Sequence, residues 1–407
     1  MHVILVEPAF PVNQREFVRA FKEIGASISA IGERPYEYLD SELKHWLTWY
    51  EQVPTVCDVQ SLYKATRRMQ QRGWVDRLEA TVEAHMMATA EVREMCKIPG
   101  ISRQTTLWCR DKPTMKEVLR EAGVPCARSG GASSPSEVMD FIKEVGYPVI
   151  IKPRDGAGAS GAYRIDDAQS FERVMVESGL AQRSFPVAVE EFLSGHEGFF
   201  DTITCNGKVR HEFISHYYPN VLHAMRTRWI SPQVVTTNRV NSDGYNEVRK
   251  LGRRVIEVLG ITTAATHMEW FITPKGLMFS EIGCRPPGVG MWDIYNAAND
   301  MDLYREWARA ICNAPAREFP SRRYAGGIIA IRPSQDGTIA GYPGRDDMFR
   351  DLGDFVIDAH FPPPGSRTQP VEGGYKANAW VRMRHPDYDD LRKMLSVVGQ
   401  GVKCIAH

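Results

Sequence analysis

The chain opens on an apolar, amphipathic, apolar alternation. Residues 2–7 (HVILVE) form a short apolar run, residues 14–24 place apolar positions at helical spacing, and after Gly25 a second apolar run covers 26–31. This β-α-β pattern predicts a parallel sheet, since parallel strands need a crossover between them. A further strand is expected at 53–56. From Val59 to Met95 helix formers dominate, with Trp74, Leu78, Val82 and 85–87 at helical spacing, and Pro99-Gly100 closes this unit.

A second unit opens at Asp111-Lys112-Pro113, where proline suits a first helical turn and Met115, Val118 and Leu119 give an apolar face ending at Gly123. Another helix is expected over 134–145, then a strand, Tyr147-Pro-Val-Ile-Ile-Lys152, and a glycine-rich loop, Gly156-Ala-Gly158-Ala-Ser160-Gly161. Residues 162–165 resume as strand, 168–178 as helix and 185–190 as strand. Further on, Asn206-Gly207 marks a hairpin between 199–205 and 209–215. Residues 217–241 show no clear period and are expected to be a long loop. A helix over 247–259 precedes a second hairpin, 266–272 and 277–282, around Pro274-Lys275-Gly276. The tail from Tyr324 is strand-rich until a last helix near 388–397. The expected units are 1–108, 109–193, 194–323 and 324–407.

The composition is that of an ordinary globular enzyme. Of 407 residues 43% are hydrophobic and 25% charged, with zero formal net charge, which removes the basic field that nucleic-acid binding requires. No apolar stretch reaches the length of a membrane span, and the N-terminal run is too short for a signal segment, so a cytoplasmic location is expected. Eight scattered cysteines without a CxxC pair suggest reduced, mostly buried thiols rather than zinc ligands or disulfides.

The glycine loop formally matches GxGxxG. A dinucleotide-binding reading needs the third glycine to open a helix, and here 162–165 reads as strand. A glycine loop joining antiparallel strands, with Lys152 ending the first, suits the covering of phosphates by backbone N–H groups. On the second hairpin, Glu269 and Glu281 sit near paired positions and can point to one spot. Two adjacent carboxylates repel unless a cation intervenes, and Mg²⁺ is the natural hard ion, with Mn²⁺ as its substitute. Arg285, in Glu281-Ile-Gly-Cys-Arg285-Pro286-Pro-Gly288, could hold a carboxylate or offset developing charge.

At these residues the chain resembles the ATP-grasp family over nearly its whole length. The series is Asp111-Lys112, Lys152 with its glycine loop, Val189-Glu190-Glu191-Phe-Leu193-Ser-Gly-His-Glu197, His267-Met-Glu269 and Glu281-Ile-Gly-Cys-Arg285. The resemblance implies a mixed α/β fold with an N-terminal parallel domain, an ATP-grasp core and a β-rich tail. It implies ATP as a cofactor, with Lys112, Lys152 and the loop residues Gly156, Gly158, Ser160 and Gly161 at the phosphates. Glu190 and the backbone at Glu191 and Leu193 would hold adenine, Glu197 the ribose, Glu269 and Glu281 the metal, and Arg285 the acyl phosphate. The family often has asparagine where this chain has Gly283, so a third metal ligand is in doubt. The Glu-x-x-x-Arg-Pro-x-Gly ending resembles L-amino-acid ligases, implying an ADP-forming carboxylate–amine ligase. His267, Arg226, Arg228, Trp229, Trp292, Pro286 and Gly288 are candidate substrate contacts. The alternatives are a purine-biosynthetic or biotin-carboxylase-like enzyme, suggested by the tail, a kinase-like transferase, and a non-catalytic nucleotide sensor. The expected partners are small-molecule substrates, with no nucleic acid and no membrane, and a homodimer is left open.

Overall fold

The apolar runs of the first unit form a parallel sheet in a computed structural model that describes residues 1–156 and 161–407. Its strands are β1 (His2–Val6), β2 (Ser27–Gly32), β3 (Tyr50–Gln52) and β4 (Arg77–Glu79), in the order β3-β2-β1-β4. The strand expected at 53–56 ends instead at Gln52. Pro54 has no N–H for a ladder, and Val53 and Val56 turn into the core against the helix Val59–Arg72.

The second unit is a small antiparallel sheet of β5 (Ser129–Ala132), β6 (Val149–Pro153), β7 (Tyr163–Ile165) and β8 (Val187–Glu191), ordered β5-β8-β6-β7. β6 and β7 pair antiparallel, with Val149 opposite Ile165, so the glycine loop lies in a hairpin and opens no helix. Helices Pro135–Val145 and Ala168–Glu177 contribute Val138, Ile142, Phe171 and Val174 to its core.

The remaining strands build one eight-stranded antiparallel sheet and one short pair. They are β9 (His196–Cys205), β10 (Lys208–Tyr218), β11 (Gln233–Thr236), β12 (Ala264–Thr273), β13 (Gly276–Gly283), β14 (Ala325–Ile331), β15 (Ile339–Gly341), β16 (Val356–His360), β17 (Ala379–His385) and β18 (Ile405–Ala406). The large sheet runs β13-β12-β9-β10-β11-β14-β17-β16, and β15 pairs with β18. Residues 217–241 are therefore not one long loop. β10 continues to Tyr218, a short helix covers Val221–Ala224, and β11 occupies an interior position between β10 and β14. All four β11 residues are buried, so the in–out alternation that reveals a strand is missing. The tail strands β14, β16 and β17 extend this same sheet.

Two positions show how closely the large sheet packs on the face turned to the core. The β12–β13 register shifts between Glu269 and Trp270, and the Trp270 indole, wholly buried, lies over Gly198 on β9. A Cβ on Gly198 would come within 2.3 Å of Trp270 Cζ2 and 2.6 Å of Ser215 O. Gly198→Ala is therefore expected to destabilise the fold by on the order of 1–3 kcal/mol through overpacking. The check is the urea unfolding midpoint, and an unchanged midpoint would mean that the indole does not need this space.

Candidate active site

The cationic wall is set by a helix cap. Asp111 caps the helix Lys112–Glu121 by accepting from Thr114 N, and it also takes both Nε and Nη2 of Arg154 at 2.7 Å. Arg154 follows β6, so this bidentate pair ties the helix start to the strand that ends at Lys152. Lys112, 4% exposed, places Nζ 3.4 Å from Glu281 Oε1 and donates to Gly156 O. Lys152 Nζ lies 3.0 Å from Glu190 Oε2 and 3.5 Å from Glu281 Oε2. Lys116, one helical turn after Lys112, reaches the same Glu190 oxygen at 2.7 Å.

Burial raises the Glu190 carboxyl, but Lys116 and Lys152 overcome it and bring its pKa down to about 2. Burial pulls the Lys116 ammonium below its ordinary value, with Glu190 opposing, whereas Lys152 is held above its own because Glu190 and Glu281 outweigh burial. The expected adenine contact at Glu190 thus changes character. One oxygen is taken by two lysines, and Oε1 is buried with no partner among the described residues, free to accept from a ligand amine. The N–H of Glu191 donates to Arg128 O at 2.9 Å, so an adenine edge would meet its carbonyl and Leu193 instead.

Glu269 and Glu281 stand directly opposite each other in the β12–β13 register. Burial opposes ionisation of Glu269, but His267, Lys152 and Lys112 outweigh it and lower its pKa. His267 Nδ1 bonds Asp201 Oδ1 at 2.7 Å, and its Nε2 lies 3.7 Å from Glu269. Burial alone would lower the imidazole pKa, yet Asp201 and Glu269 raise it to about 9. Asp201, 2% exposed, also accepts from Tyr295 Oη at 2.5 Å. Two hard carboxylate donors beside phosphate-seeking lysines fit a divalent cation such as Mg²⁺. No third acidic, histidine or cysteine ligand joins them among the described residues. At Gly283 an added Cβ would lie 3.3 Å from Glu83 Oε2, so this carboxylate occupies the space a longer side chain would need.

Glu83 comes from the N-terminal unit and orients the arginine. Arg285 Nε donates to Glu83 Oε2 at 2.7 Å and Nη1 to Pro286 O at 2.8 Å, while Arg110 holds Glu83 from the other side. Beside them Cys284 Sγ lies 3.3 Å from Cys109 Sγ, two buried thiols that join the chain before Lys112 to the chain before Arg285.

A cavity of roughly 1060 Å³ gathers these groups. Lys112, Lys152, Gly156, Glu190, Glu191, Leu193, Glu197, Glu269, Glu281 and Arg285 line it, as do His267, Arg226 and Gly288. Gly161 adjoins it in the hairpin, and Gly158 and Ser160 lie outside the described residues. Other expected contacts are engaged elsewhere. Arg228 donates to Asp336 at 2.7 Å, Trp229 points to solvent at 87% exposure, and Trp292 packs in the core against Phe17 and Tyr304. Pro286 meets the site only through its carbonyl. Arg226 bonds Ala162 O and stacks over Tyr163, bridging to the glycine hairpin. Residues that pattern alone does not single out also line the cavity: Glu83, Arg110, Lys116, Tyr217 and Tyr375. Only Lys116 carried a readable signal, four residues after Lys112 on one helix face.

Buried lysines facing paired carboxylates in one cavity suit a ligand that carries phosphate. Residues 117–300 match the ATP-grasp domain, so the chain carries an ATP-grasp domain over a little under half of its length. It is 26% identical over 283 residues to the L-arginine-specific L-amino acid ligase of Bacillus subtilis, a match covering 68% of this chain and 67% of that protein. The fold is similar to that of the L-amino acid ligase from Bacillus licheniformis, with a TM-score of 0.77 at 15% identity over 100% of this chain and 98% of that one. Phosphoribosylglycinamide synthetase from Anaerococcus prevotii follows at a TM-score of 0.68 and 15% identity, covering 100% and 99%. Among the described residues no helix is long and apolar enough to cross a membrane.

Removing the Glu190 charge should expose how much the site rests on it. Glu190→Gln leaves Lys116, 1% exposed, without its counter-charge, and a loss on the order of 3–5 kcal/mol is expected, as for other broken buried pairs. The folded pKa of Glu190 lies below its unfolded value, so its contribution is complete above about 4.5 and is lost as pH falls through about 2. Thermal melts between pH 6 and 2 should therefore show a steeper acid decline for wild type than for Glu190→Gln. Parallel declines would show that Glu190 is not the anion this cluster depends on.

Proposed function

We propose that the protein joins the carboxylate of an amino-acid-like substrate to an amine, converting ATP to ADP and phosphate by way of an acyl phosphate. The observation that carries this reading is the register pair Glu269–Glu281, which faces Lys112 and Lys152 within one cavity while Arg285 follows just beyond the same strand. Likeness to an L-amino acid ligase supports amino acids as the substrate class.

A carboxylate oxygen of the substrate attacks the γ-phosphorus, the bond to the bridging oxygen breaks, and ADP leaves. The amine nitrogen then attacks the acyl carbon, the bond to the phosphate oxygen breaks, phosphate departs, and the proton lost from nitrogen passes to solvent. In such transfers the protein chiefly positions reactants and stabilises charge. Lys112 and Lys152 offset phosphate charge, and the glycine hairpin, including Gly156, Gly158, Ser160 and Gly161, covers the phosphates with backbone N–H groups. Glu190 Oε1 accepts from the adenine amine, and Glu197 accepts from the ribose. Glu269 and Glu281 would hold Mg²⁺ or Mn²⁺, which would neutralise charge on the phosphate oxygens. Arg285, fixed by Glu83, faces the acyl phosphate and the oxyanion formed when the amine adds. His267 and Gly288 border the substrate, and Arg226 draws the hairpin over it, excluding the water that would hydrolyse an acyl phosphate. The reaction is expected to run in the cytoplasm on small molecules. A nucleotide sensor without turnover fits less well, because a sensor has no need of an arginine oriented beside the metal carboxylates.

Metal dependence and chemistry should separate by residue. Glu269→Gln or Glu281→Gln should raise the Mg²⁺ concentration required for amine-dependent phosphate release. Arg285→Lys keeps the charge but loses the planar fork, so nucleotide affinity should survive while kcat falls by on the order of 10²–10³. Wild-type turnover by Arg285→Lys would assign the arginine to structure. An unaltered Mg²⁺ requirement in both glutamine variants would put the metal elsewhere.

A further inference from the structure

We propose that Tyr375, delivered by the C-terminal part of the chain, contacts the ribose of the bound nucleotide and acts with Glu197 to select a ribonucleotide. The assignment rests on the ATP reading above and extends it to a segment outside the matched domain.

The sheet places the relevant groups in a row. Glu281 on β13 is opposite Glu269 on β12, and Glu269 is opposite Phe199 on β9, two residues from Glu197. His216 on β10 is opposite Gly198, which brings Tyr217 beside Glu197. The Tyr217 ring in turn stacks on Tyr375, centroids 6.4 Å apart and planes 30° apart. The row runs from the Glu281–Glu269 pair across Glu197 to Tyr217, against which Tyr375 stacks.

The loop that carries Tyr375 is built to hold it there. Asn378 closes residues 369–378 on both sides, accepting from Gln369 N at 2.9 Å and donating to Gln369 O at 3.0 Å. Gly374 takes a φ of 95°, a left-handed conformation that favours glycine, and packs against Met225 in the cavity wall. Tyr375 lines the cavity at 4% exposure, and its hydroxyl has no partner among the described residues. A buried hydroxyl left unpaired is unfavourable, so this position is suited to a ligand that completes it.

The surroundings decide which part of the ligand that is. Besides burial, the charges of Glu197 and Glu269 act on the Tyr375 phenol and Arg332 opposes them, so these are its ionisable neighbours. An anionic group with no metal to offset the Glu269 carboxylate would be repelled there. A neutral vicinal diol is not. One ribose hydroxyl can donate to Glu197, whose Oε2 already takes Val221 N at 2.7 Å, and its neighbour can pair with the Tyr375 hydroxyl. Burial and Glu197 both push the phenol pKa up, so it remains a donor.

The test measures Kd for ATP, 2′-deoxy-ATP and 3′-deoxy-ATP with wild type and Tyr375→Phe, a substitution that keeps the ring and its stacking. Losing one neutral hydrogen bond should weaken ATP binding about five- to tenfold. Wild type should discriminate against both deoxynucleotides, and the Phe variant should lose the discrimination against the one that lacks the hydroxyl paired with Tyr375. A variant that weakens all three nucleotides equally, or keeps wild-type discrimination, overturns the assignment. A raised KM for the amine with unchanged nucleotide affinities overturns it too, moving Tyr375 to the substrate. Wild type that binds no nucleotide would remove the ATP reading and this assignment together, whereas unaltered discrimination removes this assignment alone.

Discussion

One buried carboxylate shared by two lysines fixes the geometry of the nucleotide cavity. Glu190, Lys116 and Lys152 come from β8, the first helix of the small unit and the end of β6, and each is largely withdrawn from water. Ions held at such depth are tolerable only when their partners are in place. The helix and the strands therefore cannot shift relative to one another without stranding a charge. Because Lys112 lies one turn before Lys116 on that helix, the same triad aims Lys112 at Glu281. The cationic field that meets the phosphates is thus preorganised by a contact that need not touch them.

The opposite wall is preorganised in the reverse sense. Glu197, Glu269 and Glu281 crowd one face of the large sheet, and the strain of that crowding is visible in Glu197, whose pKa burial and Glu269 drive up to about 8. His267, anchored by the deeply buried Asp201, offsets part of it. A surface of this kind has a standing affinity for cations and polar neutral groups, and the lysines opposite have one for anions. The proposed ligand, a nucleotide triphosphate with its metal, would satisfy both walls at once.

Local features were the legible ones. The glycine hairpin was readable because Lys152, Gly156 and Gly161 are close in sequence and Ala162–Ile165 has strand character. The carboxylate pair was readable because Pro274-Lys275-Gly276 fixes the partners of a hairpin on either side. What escaped depends on distant chain segments. Glu83 meets Arg285 across about two hundred residues, and nothing near Glu83 marks it. Tyr375 reaches the cavity only through a loop closed by Asn378, and Asp201 is one of several polar residues on a buried strand. β11 was missed because four residues buried on both faces carry no alternation, and Pro219 and Pro232 on either side made the stretch look irregular. Trp229 and Trp292 illustrate the converse, since residue type alone does not distinguish solvent, core and cavity.

The interior position of β11 has a consequence for how the molecule is made. The strands bearing Glu197, Glu269 and Glu281 precede β14 and β17 in the chain, yet β14 is the partner that covers the open side of β11. During synthesis these carboxylate-bearing strands leave the ribosome while β11 still presents bare backbone donors and acceptors, and the closing ladder arrives only with residues 325–331. Exposed strand edges of this kind recruit other chains. The interval between translation of β11 and of β14 is therefore one in which an interior strand is exposed as an edge. Early termination within that interval would release a chain that carries most of its ligand-facing residues but has a sticky, unfinished sheet.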